Sequence, residues 1–246
     1  NPLQVMYAVI DRNTPAGTSL APDLYPEGYV MVVDKPYRWT SADVVRKIKF
    51  SLKKIYHQNN IKVGHAGTLD PLATGVLVVC VGKATKVSEA LQAERKEYVA
   101  EVTFGATTPS FDMEHETDAS YPWEHITEEA IAAALTDMEG EQMQLPPVYS
   151  AKYVDGVRAY EIARQGEDVE LKAAKINIYG TRIMDYSAPV LKVAVECSKG
   201  TYIRAFARDL GQALGSGAYL SGLVRTASGG FRIENALTLE EFSERF

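Results

Sequence analysis

The sequence predicts an α+β fold, and two observations carry that prediction. Runs with the two-residue alternation of strands are interspersed with runs at the three-and-four spacing of helices. They do not follow the regular βαβ rhythm of a doubly wound sheet. No linker divides the 246 residues convincingly, and 46% hydrophobic with 24% charged residues suffices for one sizeable core, at most in two lobes.

In chain order, residues 12–28 contain Pro15, Gly17, Pro22, Pro26 and Gly28 and read as a loop or extended arm. Residues 1–28 are therefore set apart as an N-terminal arm, and 29–246 form the domain proper. Residues 29–33 are a short apolar strand ending at Asp34-Lys35-Pro36. Thr40 and Ser41 are candidate N-caps for a helix to residue 56, with Val44, Ile48, Leu52 and Ile55 as its buried stripe. A Gly-rich loop over 64–75 leads into a buried strand at 76–81, and 98–104 alternates like a half-buried strand. Helices are expected at 128–138, at 158–165 (stopped by Gly166), at 201–214 and at 240–246. The helix at 201–214 has Ile203, Phe206, Leu210 and Leu214 as its stripe. Residues 176–183 and 191–197 read as strands.

The net charge of −6 ordinarily counts against a nucleic-acid partner. Its distribution reverses that inference. Residues 35–62 hold eight bases against Asp43 alone, a local +7, while 112–141 hold ten acids and no Lys or Arg. Without that acidic stretch the chain is +4. A basic helix face is usually plain solvated surface, but here it feeds directly into the Gly-rich loop. The longest apolar run, 76–81, is far short of the roughly 20 residues of a membrane span. The chain opens at Asn1 with no charged-then-apolar leader. Cys80 and Cys197 sit apart in apolar, strand-like runs and read as buried thiols in a reducing compartment. A cytoplasmic protein that makes no membrane contact is expected.

Few motifs compete for the chemistry. Gly75 and the Gly82-Lys83 pair are separated by six residues where a phosphate-binding loop needs four, and a strand fills the gap. HExxH, CxxC and GxSxG patterns are absent from the sequence, and the four histidines share no metal-ligand spacing. His115, among Asp112, Glu114 and Glu116, reads as part of a solvated acidic loop. No metal and no organic cofactor is implied. The loop Gly64-His65-Ala66-Gly67-Thr68-Leu69-Asp70-Pro71-Leu72-Ala73-Thr74-Gly75 is different. Its glycines permit tight turns and close approach of a bulky ligand, and Pro71 stiffens the chain after Asp70. An aspartate held at the mouth of a buried strand suits a nucleophile or base. On spacing alone, it also suits a simple Asx turn.

That loop resembles the signature of the TruB-type tRNA pseudouridine synthases, and further matches follow in the family's order. Asp34-Lys35-Pro36 with Trp39-Thr40-Ser41 resembles the first motif, and Lys96-Glu97-Tyr98 its Lys-x-Tyr element. Gln144-Leu145-Pro146-Pro147-Val148-Tyr149-Ser150-Ala151-Lys152 is similar to a mid-chain segment. Cys197-Ser198-Lys199-Gly200-Thr201-Tyr202-Ile203-Arg204 resembles the Arg-bearing motif. Residues 217–230, with Leu223 and Arg225-Thr226, resemble the closing one.

The resemblance implies the pseudouridine synthase fold, with a mixed central sheet flanked by helices and an active-site cleft. It also implies isomerisation of uridine 55 in the T arm of tRNA to pseudouridine. The base leaves C1′, turns, and rejoins through C5, without redox change, energy source or metal. Asp70 matches the catalytic aspartate, attacking either C1′ or the pyrimidine ring. Tyr98 stacks on the base and helps remove the C5 proton, and Arg204 pairs with Asp70. A uridine inside a folded T loop must be flipped out, and His65 matches a residue that fills the vacated stack. Acid–base work by His65 is the alternative. Tyr202 and Leu223 match pocket-lining positions, and Asp112 one near the site.

RNA-backbone contacts are expected from Arg46, Lys49, Lys53 and Lys62 and from Lys199, Arg208 and Arg225. About fourteen residues follow the last motif, too few for the C-terminal PUA domain of many members, so RNA is expected to be held by the catalytic domain alone. A monomer is the simplest assembly. The rival readings are a non-catalytic RNA-binding or chaperone protein that keeps the pocket, and a hydrolase using Asp70 as nucleophile.

Overall fold

The computed structural model describes residues 7–148 and 172–246, together with the backbone of two short strands between them. The chain forms two compact units. One comprises Asn1–Glu97 with Val224–Phe246, and the other Tyr98–Leu223.

The first unit opens with β1 (Ala8–Ile10), β2 (Tyr29–Lys35), α1 (Ser41–Tyr56), β3 (Val63–His65), β4 (Ala73–Val81) and the short helix α2 (Ser88–Gln92). β1 runs parallel to β2, and β2 runs antiparallel to β4, from Tyr29 opposite Val81 to Lys35 opposite Gly75. β3 pairs antiparallel with β4 from Val63 opposite Val81 to His65 opposite Val79. The sheet is therefore mixed, and both of its faces are covered. Tyr29, Met31, Val33, Leu77 and Val79 pack with Val44, Ile48 and Leu52 of α1. Val30, Val32, Val76, Val78 and Cys80 pack on the other side with Ala66, Ala84, Leu91 and Phe231. Burial on both faces explains why 76–81 is continuously apolar rather than alternating.

α1 begins with a reciprocal cap. Thr40 Oγ1 accepts the N–H of Asp43, and the Asp43 carboxylate accepts the N–H of Thr40. Its stripe departs from the expected one, because Val44, Ile48 and Leu52 are buried but Ile55 is exposed. Tyr56 packs in its place, with its hydroxyl accepting the Leu20 N–H at 2.6 Å. Leu20 is itself fully buried. The segment expected to be an extended arm is thus docked where residues 8–28 are concerned, since Ile10 and Leu20 belong to the core.

The second unit contains β5 (Lys96–Phe104), whose first two residues precede the boundary, then β6 (Ala106–Thr107), β7 (Ala119–Ser120), α3 (Glu128–Met138) and β8 (Gly140–Gln144). The strands β9 (Tyr153–Val154) and β10 (Val157–Arg158) follow. Arg158 thus ends a strand, and the rest of the helix expected at 158–165 lies outside the described residues. β11 (Ala174–Ser187), β12 (Val190–Cys197) and α4 (Ile203–Ala213) complete the unit with the first part of β13 (Ala218–Ser228). β11 runs antiparallel to both β12 and β8. In α4, Ile203, Phe206 and Leu210 are buried, and Leu214 is the half-buried C-cap.

The chain then returns to the first unit through β14 (Phe231–Arg232), paired with the end of β13, and α5 (Leu239–Arg245), which is capped by Thr238 and Glu241. Leu237 bridges Val33, and both Leu237 and Phe242 are core residues. Arg12 donates to the Glu241 carboxylate, and the Gly17 N–H reaches the Arg245 carbonyl. Cys80 and Cys197 are both buried thiols. No helix among the described residues is long and apolar enough to cross a membrane.

Candidate active site

Of the residues singled out by sequence, Asp70 and His65 lie in the first unit. Asp70 is half-buried, on the loop between β3 and β4. The backbone is fastened on either side of it. Ser41, at the start of α1, accepts the Leu69 N–H (2.9 Å) and donates to the Leu69 carbonyl (3.2 Å). The Pro71 carbonyl accepts the Arg38 N–H (2.7 Å) and the Lys35 ammonium (3.3 Å). The Ala73 N–H then closes a turn onto the Asp70 carbonyl (2.9 Å). Asp70 is therefore presented on a rigid turn, which is what a group that must meet a reacting atom reproducibly requires.

Lys35 is 0% exposed, and its ammonium also donates to the carbonyls of Pro36 (2.8 Å) and Trp39 (2.6 Å). Burial pushes its pKa down to about 8, against the opposing pull of Asp70 and Asp34. One side chain thus ties the end of β2, the entry to α1 and the residue after Asp70 together.

Arg225 departs from the expected phosphate contact, because only 1% of it is exposed. Its guanidinium donates to the carbonyls of Val76 (2.8 Å) and Gly67 (3.1 Å), bracing the loop from within. The close approach explains Gly75, which has φ 105° and whose missing Cβ would lie 2.2 Å from the Arg225 carbonyl oxygen. His65, at the end of β3, is half-buried, and its Nδ1 has no hydrogen-bond partner among the described residues. Burial, and then the nearby Arg225 cation, lower its pKa below the ordinary histidine value. The ring is a neutral, flat group at neutral pH.

The second unit holds Tyr98, Asp112, Tyr202, Arg204 and Leu223. Tyr98 is on the buried row of β5, in line with Ala100, Val102 and Phe104. Leu223 is half-buried on β13. Tyr202 caps α4, and its backbone is clamped from both sides by Gln144. The Gln144 side-chain Oε1 accepts the Tyr202 N–H (2.9 Å), and its Nε2 donates to the Tyr202 carbonyl (3.1 Å). Arg204, which lies off the apolar stripe of its helix in sequence, is nonetheless buried. It donates to the Ser110 carbonyl (3.3 Å), and its Nε lies 4.0 Å from the Asp112 carboxylate. Asp112 organises the loop around it, accepting from Ser110 Oγ and the Glu114 N–H, while Thr108 donates to its carbonyl. Between them, Phe111 has a left-handed φ of 58°, a conformation a bulky side chain adopts only when its surroundings impose it.

Arg208 also departs from the expected open phosphate contact. It bonds Asp209 (2.9 Å) and the Leu145 carbonyl (2.7 Å), and its guanidinium lies 5.6 Å from the centre of the Phe111 ring. Lys62 and Lys199 are exposed and Lys49 and Lys53 half-exposed, while Arg46 is exposed and paired with Asp43. The sequence places Lys35, Ser41, Lys96 and Gln144 in motifs without assigning them these positioning tasks, and Ser110 goes unnoticed in it. Lys96 is buried and donates to the Gln92 (2.7 Å) and Glu94 (2.5 Å) carbonyls.

The fold is that of the pseudouridine synthases. The chain superimposes on a chain in the crystal structure of a Cbf5-Nop10-Gar1 complex with TM-score 0.66 and 30% identity, covering 97% of this chain and 63% of that one. A structure of an H/ACA RNP bound to a substrate RNA containing 2′-deoxyuridine gives TM-score 0.63 and 28% identity, over 98% and 63% of the two chains. The present chain thus spans under two thirds of these structural relatives. Residues 53–203 match the TruB family pseudouridylate synthase (N terminal domain). A tRNA pseudouridine synthase B of Phocaeicola vulgatus is 54% identical over 220 residues, 89% of this chain and 94% of that protein. That of Flavobacterium johnsoniae is 45% identical over 226 residues, 92% of this chain and 99% of the other. The chain belongs to the TruB family of pseudouridylate synthases, isomerases that convert uridine to pseudouridine.

Proposed function

We propose that this chain converts uridine 55 in the T arm of tRNA to pseudouridine, acting in the cytoplasm as a monomer, with Asp70 as the catalytic aspartate. The observation that carries the reading is the fastening of the backbone at Leu69 and Pro71, on both sides of Asp70. These bonds hold the backbone of Asp70 in one place, which a group that must meet a reacting atom requires. Arg204 is assigned, through the motif that carries it, the task of pairing with Asp70. Tyr98 stacks on the detached uracil, and Tyr202 and Leu223 shape its pocket. Asp112 acts at one remove, by fixing the loop against which Arg204 lies. A neutral, half-buried His65 suits the space left by a flipped-out base better than it suits proton transfer. Lys62 and Lys199, with Arg46, Lys49 and Lys53 of α1, meet phosphates.

The test is tritium release from tRNA transcribed with uridine labelled at C5, because joining C5 to C1′ expels that hydrogen. The wild-type protein releases tritium from one uridine per tRNA, mapped to position 55. Asp70→Asn releases none, whereas His65→Phe keeps a substantial part of the wild-type rate. Release that survives Asp70→Asn sinks the assignment of the aspartate, and a loss in His65→Phe as complete as in Asp70→Asn sinks the stacking role.

A further inference from the structure

The solvent face of α1 has a composition that phosphate binding alone does not explain. Phe50 is 64% exposed, and no large apolar side chain among the described residues is more so. At about 100° per residue it lies about 160° around the helix from the buried Ile48, near the middle of the solvent face. The positions that neighbour a helical residue on the surface are three and four away. For Phe50 these are Arg46, Lys47, Lys53 and Lys54, and all four are cations. With 26 Lys and Arg in 246 residues, composition does not produce that ring. Arg46 is paired with Asp43, and Lys47, Lys53 and Lys54 take part in none of the ion pairs among the described residues.

We propose that Phe50 is a stacking platform for an unpaired base of the tRNA, with the surrounding cations holding the phosphates on either side of it. This rests on the reading of the chain as a tRNA-modifying enzyme. An aromatic face set in a basic surface is the arrangement that holds single-stranded nucleic acid: the bases stack on the ring and the charges follow the backbone. A protein partner docking through an apolar face finds one ring here and no apolar neighbours at the adjoining helical positions.

The helix also sets which nucleotide is held. Its first residue, Ser41, is bonded to Leu69 beside Asp70, and Phe50 is nine residues further, about 13 Å along the axis at 1.5 Å per residue. The stacked base is therefore a different nucleotide from the uridine presented to Asp70. Phe50 contributes to holding the RNA and takes no part in the chemistry.

Filter binding of a full-length tRNA transcript tests this with the whole chain. Phe50→Ala is expected to raise Kd by about five-fold to about 150-fold, the range for loss of one base–aromatic stack. The salt slope should be unmoved, because no charge is removed, and tritium release at saturating tRNA should keep its wild-type kcat. Phe50→Trp is expected to restore Kd, and the fluorescence of the new indole should be quenched on binding. An unchanged Kd in Phe50→Ala overturns the inference, as does a loss that Phe50→Trp does not restore while its circular dichroism stays native. Failure of the wild-type protein to bind tRNA at all overturns instead the reading on which the inference rests.

Discussion

Lys35 shows how a single residue can look like surface charge in the sequence and act as an internal brace in the fold. In the unfolded chain a lysine titrates near 10.4, whereas burial pushes Lys35 down to about 8. Between those values the unfolded state binds more protons, so this group adds to stability as the pH rises through that window. Below about 8 its desolvation cost is present in full. In urea unfolding, the stability of the wild type relative to Lys35→Met should therefore rise progressively from about pH 8 to about pH 10.4. A relative stability that is flat, or that falls, contradicts the account. The inward direction of Lys35 is legible in the sequence once the strand is placed, because it continues the two-residue register of Tyr29, Met31 and Val33, all of them core residues. Arg225 gives less away. Its neighbours on β13 are only half-buried at 222–224, and what draws it inside is a pair of carbonyls, Val76 and Gly67, that no local pattern reveals.

At the scale of the element, α1 connects the Asp70 loop to the basic surface proposed to meet RNA, and its start is set by the Thr40–Asp43 cap. Removing such a cap costs about 1 kcal/mol, so Thr40→Ala should lower the stability of the first unit by about that amount in denaturant melts. Thr40→Ser should restore most of it. A loss in Thr40→Ala that Thr40→Ser leaves unrepaired argues that the threonine methyl, not the cap, was at work. The helices at Glu128–Met138 and Leu239–Arg245 are readable to within a residue because caps and apolar spacing agree there. Ile55 misleads for a physical reason. A stripe at three-and-four spacing tells which side of a helix faces inward, but not how far along its length the core extends. Here Tyr56, bonded to Leu20 from a distant part of the chain, closes that end of the core. The division between the two units is also hidden from sequence, since the chain passes the boundaries inside β5 and β13, with no linker at either.

For the whole molecule, the net charge of −6 conceals a basic helix and a long acidic stretch. Affinity for tRNA should fall with salt through the basic residues alone. Replacing Lys53 and Lys54 together by Gln should reduce the slope of log K against log salt by about 2, roughly one for each phosphate no longer neutralised. Replacing Glu128 and Glu129 of α3 by Gln should leave it as it was, and a slope that responds to the acidic pair instead removes the basis for assigning the RNA surface to α1. The two units also differ in how synthesis can complete them. The second is a continuous stretch, Tyr98–Leu223, whereas the first needs Val224–Phe246 to rejoin its opening segment. Leu237 and Phe242 fill the same core as Ile10, Leu20 and α1, and Arg225 braces the loop that bears Asp70. A chain still emerging from the ribosome can therefore fold its middle before its beginning. Arg225 is made only after the whole of the second unit, so the loop that bears Asp70 stays without that brace until synthesis has passed both.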